Sequence, residues 1–114
     1  MKIVQNQISI NELKEMAEQM FGNLVKAVVD VEKEIMAIDG ELHADLETIL
    51  IESGSRRESV WGINIYPDAF GRDDWIEFDS MINLKPALGN KIRGVENEVI
   101  RKKIIEVVNK LIPK

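Results

Sequence analysis

The stretch from Val60 to Leu84 constrains the fold most strongly, because it predicts two strands joined by a polar loop. In the second strand the even-numbered side chains form one face: Ile76, Phe78, Ser80, Ile82 and Leu84. The odd-numbered side chains form the other: Trp75, Glu77, Asp79, Met81 and Asn83. The first strand alternates in the same way, with Trp61, Ile63 and Ile65 opposite Gly62, Asn64 and Tyr66. Because successive side chains of a strand point to opposite faces, this pattern predicts a sheet buried on one side and polar on the other.

Two helices are predicted before this stretch. Ser9 and Glu12 form a capping box at the start of a helix over residues 10–21, which Gly22 can end. Residues 41–54 also have apolar side chains at helical spacing, so a helix is the better interpretation there. Residues 46–52 alternate as well, and a strand stays open as the alternative.

The remaining elements lie at the two ends of the chain and in its first half. Residues 24–31 and 34–39 are rich in β-branched side chains and predict a hairpin, with Glu32 and Lys33 as its connection. Residues 2–4 predict a short edge strand. A continuous apolar stripe predicts a last helix over residues 95–112.

The order of these elements is helix, two strands, helix, two strands, helix. It predicts an α+β fold of order αββαββα, with a largely antiparallel sheet of four or five strands and three helices packed mainly on one face. The order of the strands in the sheet stays open. If the second hairpin strand and the strand at Val60 are neighbours, they run parallel with a right-handed crossover.

Length and composition are those of one folded domain over residues 1–114. Hydrophobic residues make up 45% of the chain and charged residues 31%, which is typical of a globular protein. The chain has no cysteine, which rules out disulfides, thiolate metal ligands and a thiol nucleophile. No apolar run approaches the ~20 residues of a membrane span, and the first residues lack the apolar segment of a signal peptide. We therefore expect a cytoplasmic protein without membrane contact, and the isoleucine-rich composition hints at a thermophile.

The charge pattern argues against nucleic-acid binding. The net charge is −5, and the basic runs are short: Arg56-Arg57 and Arg101-Lys102-Lys103. Polyanion binding requires positive charge clustered on one face. The second run lies in a helix whose charges change from negative to positive along its length, which complements the helix dipole instead.

His43 is the only histidine and the first candidate for chemistry. Asp45 follows it two residues later, but residues i and i+2 of a helix point apart, so the pair converges only in an extended segment or at a helix start. The alternative is a local hydrogen bond of His43 at the start of its helix. Zinc sites need at least a second His or Cys, so we predict no metal site.

The polar face of the predicted sheet is the second candidate. It carries Asn64, Tyr66, Glu77, Asp79 and Asn83. Carboxylates two residues apart on a strand lie ~7 Å apart, a spacing compatible with acid–base catalysis or Mg²⁺. The same residues also suit a solvated sheet face, or a homodimer interface in which Trp, Tyr and Met lie among hydrogen-bonding groups.

Three segments carry a resemblance to a known family: Leu42-His43-Ala44-Asp45, Trp61 to Pro67, and Ile76 to Pro86 followed by Asn90 and Arg93. The chain resembles a family of small bacterial and archaeal proteins of unknown function, over about Ile8 to Ile112. The resemblance implies a free-standing cytosolic protein. It implies no activity, cofactor or catalytic residue.

We therefore expect a homo-oligomeric interaction module or a small-ligand-binding module, with a homodimer formed through the polar sheet face or the last helix. The alternative is a small hydrolase or Mg²⁺-dependent enzyme, and the residues do not decide whether the protein is an enzyme. The candidate catalytic residues are His43, Asp45 and Asp79. The candidate ligand-binding residues are Asn64, Tyr66, Glu77, Asn83, Lys85 and Arg93. No cofactor is predicted. Convergence of His43, Asp45, Asp79 and Asn83 would favour the enzyme, above all if Lys85 or Arg93 joined them to hold an anion. If His43 lay far from Asp79, the enzyme would lose its only general base.

Overall fold

A fully antiparallel sheet of five strands forms the centre of the computed structural model, which describes residues 1–114. The strands are β1 (Lys2–Val4), β2 (Val25–Asp30), β3 (Ile35–Ile38), β4 (Val60–Ile65) and β5 (Ile76–Glu77). Their order in the sheet is β1-β3-β2-β4-β5. The short edge strand β1 is therefore confirmed. Because β2 lies between β3 and β4, those two strands are not neighbours and the parallel pairing does not occur.

Three helices accompany the sheet and confirm the predicted α+β order. They are α1 (Ile10–Gln19), α2 (His43–Glu52) and α3 (Glu98–Leu111). The Ser9 side chain caps α1 by accepting a hydrogen bond from the Glu12 amide, as predicted. Residues 43–52 are helical, so the strand alternative for this segment is wrong. No helix is both long and apolar enough to cross a bilayer.

The β2–β3 connection is longer than the predicted two residues. Asp30 lies at the end of β2, and its carboxylate Oδ1 accepts hydrogen bonds from the Glu32 and Lys33 amides, both at 2.9 Å. Glu34 then adopts a left-handed conformation with φ of 57° before β3 begins. Because the Asp30 side chain makes this turn, the hairpin needs no glycine or asparagine at its centre.

The helices cover both faces of the sheet, two on one side and one on the other. Apolar side chains of α1 and α3 pack with the odd-numbered residues of β2 and β4 in a core of 20 buried residues. Leu46 and Leu50 of α2 pack on the opposite face, against Val28, Ala37 and Val60. The helices therefore lie mainly on one face, as predicted. The expectation that the other face is polar is wrong wherever α2 covers it.

The predicted alternation over residues 75–84 holds only at its start. Ile76 is buried and Glu77 is exposed, but Trp75 is buried as well, with its ring 4.9 Å from that of Phe70. The ladder to β4 ends at Glu77, and residues 81–83 form a 3₁₀ turn in which the Ser80 hydroxyl accepts a hydrogen bond from the Ile82 amide. Side chains alternate between two faces only in a strand, so the alternation ends where residues 81–83 form a turn.

An asparagine side chain takes the place of the missing strand beside β4. Asn83 is completely buried, and its Oδ1 accepts a hydrogen bond from the Gly62 amide at 2.8 Å. Its Nδ2 donates to the carbonyl oxygens of Gly62 and Arg93, both at 2.9 Å. Asn83 therefore satisfies both backbone groups of Gly62 at the sheet edge, as a paired strand would.

A second asparagine fixes the segment that follows. Asn90 Nδ2 lies within hydrogen-bond distance of three carbonyl oxygens, at 2.7 Å from Asn83, 3.0 Å from Ile92 and 2.9 Å from Gly94. Its Oδ1 accepts a hydrogen bond from the Glu96 amide. Residues 78–96 are thus attached to the sheet mainly through two side-chain amides instead of a backbone ladder.

The Asn83→Asp substitution should lower the free energy of unfolding by about 2–4 kcal/mol. The carboxylate can still accept from the Gly62 amide, but it loses both donated hydrogen bonds and buries a charge against two carbonyl oxygens. Urea unfolding measures the loss. The control is Asn11→Asp on the exposed side of α1, which should change stability by less than about 0.5 kcal/mol. Equal effects of the two substitutions would contradict the role assigned to Asn83.

Candidate functional site

A recess opens beyond the amino end of α2, on the same face of the sheet that α2 covers. Its volume is about 240 Å³. Its polar lining consists of Lys26, His43, Asn64, Asp79, Ser80 and Arg93. We call this cavity the α2 recess. The apolar contacts of α2 with the sheet end here, so polar groups from four separate segments of the chain come together.

The strand register provides the floor of the α2 recess. Lys26 of β2 is paired with Asn64 of β4, and Asn64 is paired with Glu77 of β5. Directly paired residues of neighbouring strands point to the same face. The three side chains therefore form one row across the sheet, on the face of Val28 and Gly62, and Lys26 and Asn64 of this row line the recess.

Gly62 allows the wall of the recess to approach the sheet. A Cβ atom on this residue would lie 2.6 Å from both Cβ and Oγ of Ser80, and 3.2 Å from Cδ2 of His43. Real Cβ atoms do not tolerate the shorter distance. Only glycine at this position lets Ser80 and His43 pack side by side on the backbone of β4.

His43 is held as a neutral imidazole. Its Nε2 donates a hydrogen bond to the Ile63 carbonyl oxygen over 2.8 Å, so Nδ1 is left as an unprotonated acceptor. Burial lowers the pKa of His43 below its ordinary 6.5. The charges of Lys26 and Arg93 lower the pKa further, while the bond to Ile63 and the charge of Asp79 act in the opposite direction. The side chain can therefore accept a proton or a hydrogen bond at neutral pH.

Asn64 has one satisfied and one unsatisfied end. Its Nδ2 donates to Glu77 Oε1 over 2.8 Å, and the Tyr66 hydroxyl donates to the same oxygen over 3.1 Å. Burial and the neighbouring Glu77 raise the pKa of Tyr66. The Asn64 Oδ1 atom is buried and has no hydrogen-bond partner in the chain. Because Nδ2 is turned toward Glu77 on one neighbouring strand, Oδ1 is directed away from Glu77, and Asn64 lines the recess.

Two cations and one carboxylate lie around the recess. Arg93 Nε lies 2.8 Å from Asp79 Oδ1, and both side chains are about half exposed. Lys26 takes part in none of the ion pairs of the chain, and its ammonium lies 5.0 Å from the centre of the Phe21 ring. The positive charge of Lys26 thus has no counter-ion at hydrogen-bond distance.

The amino end of α2 adds two free donors. Leu42 stands at the capping position and has no side chain that can accept a hydrogen bond, so α2 is uncapped. The backbone amides of His43 and Ala44 donate to no group of the chain. Helix amino ends carry a partial positive charge and bind anionic groups.

The candidate residues from the sequence separate into three groups in space. The α2 recess brings together His43, Asn64, Asp79 and Arg93. Glu77 and Tyr66 lie behind Asn64, at an open depression on the far side of β4. The others lie outside the recess: Asp45, Asn83 and Lys85. Asp45 is exposed on α2, and Asn83 is fully engaged with backbone groups.

Lys85 belongs to a different part of the surface. Its ammonium donates to the Arg57 carbonyl oxygen over 2.8 Å and lies 5.3 Å from the Trp61 ring centre. Burial lowers the pKa of Lys85. Lys85 lines a groove of about 460 Å³ next to the recess.

Two residues of the recess were not predicted. Lys26 could have been found by extending the alternation of β2 to its pairing with β4, which places Lys26 on the face of Asn64. Ser80 was assigned to the face of Ile76, and this is wrong: Ser80 is buried, but on the opposite face, against Gly62. Nothing in the sequence indicated that His43 packs beside it. No group of three or more His, Asp or Glu side chains in the chain is arranged to hold a metal ion.

The fold and the recess define a small α+β protein with a polar cavity at the amino end of a helix. The chain belongs to the family described as protein of unknown function (DUF5674), whose model matches residues 2–111. This membership confirms the resemblance to a family of unknown function. Neither the curated proteins nor the solved structures contain a significant match.

The stability of the protein should depend on pH through His43. Since the folded state holds this side chain below its ordinary pKa of 6.5, the unfolded chain binds the proton more readily. The contribution of His43 is therefore fully present above pH 6.5, falls as the pH is lowered from there toward the folded-state pKa, and then levels off. His43→Gln keeps an N–H donor for Ile63 and should remove this dependence from urea unfolding curves.

The proton NMR titration of the imidazole gives an independent measurement, because the chain has only one histidine. A midpoint below 6.5 is expected. A midpoint at or above that value would show that the charged form is as well accommodated as the neutral form, and would contradict the tautomer and burial described for His43.

Proposed function

We propose that this protein binds a small molecule in the α2 recess. The observation that carries the proposal is the Oδ1 atom of Asn64, which is buried without a partner in a side chain that is only 8% exposed. A buried acceptor without a hydrogen bond costs about 1–3 kcal/mol. Native proteins rarely retain such a group unless a ligand or another partner supplies the missing donor.

The surroundings of Asn64 support the same function. His43 Nδ1 and the amides of His43 and Ala44 are further polar groups without a partner in the chain, and both residues line the same cavity as Asn64. Apolar side chains of Leu42, Met81 and Ile82 complete its wall. An apolar wall with a few convergent polar groups is the usual composition of a small-molecule site. The volume of about 240 Å³ suits a ligand of few atoms.

Binding fits this geometry better than hydrolysis. Of the four residues considered for an enzyme, His43 and Asp79 lie at the recess together with Arg93, but Asp45 and Asn83 do not, so the four do not converge. Arg93 is engaged by Asp79 at 2.8 Å. Ser80 is 2% exposed, and its hydroxyl already accepts a hydrogen bond from the Ile82 amide, so a substrate has little access to it. The carboxylate of Glu77 is engaged by two neutral donors of the chain.

A screen of small polar fragments against the ¹⁵N-labelled protein tests the proposal by NMR. Amide shifts clustered at Ala44, Asn64 and Asp79 are expected for at least one fragment. The Asn64→Leu variant should retain wild-type stability, because it removes an unsatisfied acceptor along with one hydrogen bond. It should bind the same fragment at least about tenfold more weakly.

Asn11→Leu on the exposed side of α1 is the matched control and should leave binding unchanged. Shifts confined to other surfaces would overturn the assignment of the recess. The same conclusion would follow if Asn64→Leu bound the fragment as tightly as the wild type.

A homodimer is the second candidate, and a specific surface favours it. Met81, Leu84 and Leu88 line the groove next to the recess and are 63%, 39% and 53% exposed. Exposed Leu42 extends this apolar surface, because it lies with Met81 at the recess. This surface lies beside the 3₁₀ turn after β5, rather than on the sheet face or on α3, where the sequence had suggested an interface.

The charges of the groove also suit a second copy of the chain. Acidic Glu47 and Glu58 lie in it together with basic Arg57 and Lys85. A two-fold interface places one patch against itself, so each charge must find an opposite charge within the same patch. The groove meets that requirement with two charges of each sign.

The Leu88→Glu substitution should convert the dimer into a monomer, because it buries a carboxylate at the centre of the apolar surface. Light scattering coupled to size-exclusion chromatography measures the mass. The control is Val99→Glu on α3, where an apolar side chain 77% exposed lies outside the groove. A wild-type protein that is monomeric at all concentrations tested would contradict the dimer.

A further inference from the structure

We infer that the ligand of the α2 recess is a small carboxylate that carries a hydroxyl or amino group on the carbon next to the carboxylate. This inference rests on the proposed function of the recess and specifies the class of molecule. It follows from the two kinds of unpartnered groups that the lining residues provide, hydrogen-bond donors and hydrogen-bond acceptors.

The donors favour a negatively charged end of the ligand. The amides of His43 and Ala44 are free at the amino end of a ten-residue helix, where the helix dipole is positive. Lys26 lines the same cavity and has no ion-pair partner, and its ammonium, now 5.0 Å from the centre of the Phe21 ring, is on a flexible side chain that can turn toward an anion. Two amides and one ammonium form a suitable set of donors for the two oxygens of a carboxylate.

The acceptors require a hydrogen-bond donor elsewhere on the ligand. Asn64 Oδ1 and His43 Nδ1 both have lone pairs and no partner, and neither can be satisfied by an anionic oxygen. A hydroxyl or ammonium group can donate to them. Because the cavity holds only about 240 Å³, the donor and the carboxylate must be close together in the ligand.

The charge balance favours a single negative charge over a phosphate. Arg93 is already engaged by Asp79 at 2.8 Å, so Lys26 is the one side-chain cation without an anionic partner at the recess. Glu77 lies directly behind Asn64 and adds negative charge there. A dianion would meet one free cation and two nearby carboxylates, which disfavours it.

Access to Asn64 Oδ1 requires a small movement, since this atom is closed off from solvent in the unliganded chain. The side chains of Asp79 and Arg93 are about half exposed, and they are held mainly by each other. Long charged side chains at a surface change rotamer readily. Asp79, Arg93 and Lys26 all line the recess together with Asn64, so their side chains can move aside for a ligand without any change in the backbone.

A matched panel of three-carbon compounds tests the inference by NMR titration. L-lactate and L-alanine combine a carboxylate with a donor, propionate lacks the donor, and lactamide lacks the charge. Inorganic phosphate represents the dianion. Lactate or alanine should bind at least about tenfold more tightly than propionate, lactamide and phosphate. Propionate loses a hydrogen bond, lactamide loses the ionic contact, and the second charge of phosphate is disfavoured by Asp79 and Glu77.

The Lys26→Met variant separates the contributions of charge and of donor. It keeps an unbranched side chain beside Phe21. It should weaken the binding of lactate or alanine about tenfold and leave the binding of lactamide unchanged. Lys14→Met on exposed α1 is the control and should change neither.

The outcomes distinguish this inference from the proposed function. If lactamide or phosphate binds the recess as tightly as lactate and alanine, the ligand class is wrong while the recess remains a binding site. The class is also wrong if no compound of the panel shifts the recess amides while fragments of the screen do so. If neither the panel nor the screen shifts those amides, both conclusions fail.

Discussion

The packing of three side chains on the bare backbone of Gly62 is the constraint on which the rest of the structure depends. Asn83 occupies both hydrogen-bonding groups of this residue, while Ser80 and His43 occupy the space where a Cβ would lie. These contacts bring the segment after β5 and the start of α2 to the same point of β4. The α2 recess exists because the two segments meet there.

The elements of the fold were predictable wherever local periodicity and capping agreed. Ser9 begins α1, and the glycines at positions 22 and 54 take left-handed conformations just beyond the ends of α1 and α2. The alternation of β2 and β4 also holds, because long strands in the middle of the sheet keep their register. The antiparallel α+β architecture followed from these local signals.

The alternation predicted after Glu77 is wrong, because the side chain of Asn83, and not a strand, pairs with the backbone of β4 there. Nothing in the pattern of residues 78–84 distinguishes an asparagine that pairs with a backbone from one that faces solvent. The position of α2 on the second face was equally hidden, since its apolar stripe does not say which side of the sheet it will cover. Such choices depend on contacts between segments far apart in the chain.

Part of the candidate site was accessible to sequence reasoning and part was not. Asn64 and Asp79 were selected because they alternate with apolar residues, and His43 because the chain has no other histidine. The sequence did not indicate the register between β2 and β4, which pairs Lys26 with Asn64. That Asn64 Oδ1 lacks a hydrogen-bond partner is evident only in the structure, because it depends on the orientation of one side-chain amide.

Met81 and Ile82 lie in the walls of both the α2 recess and the neighbouring groove. The short turn that carries them therefore has two sides, one at the proposed ligand site and one at the proposed dimer surface. Any shift of this turn that improves the fit on one side alters the fit on the other. Thermodynamic reciprocity then requires that each occupant change the affinity for the other by the same factor. If both proposals hold, the state of assembly of this protein is connected to the concentration of a small ligand through a single turn of backbone.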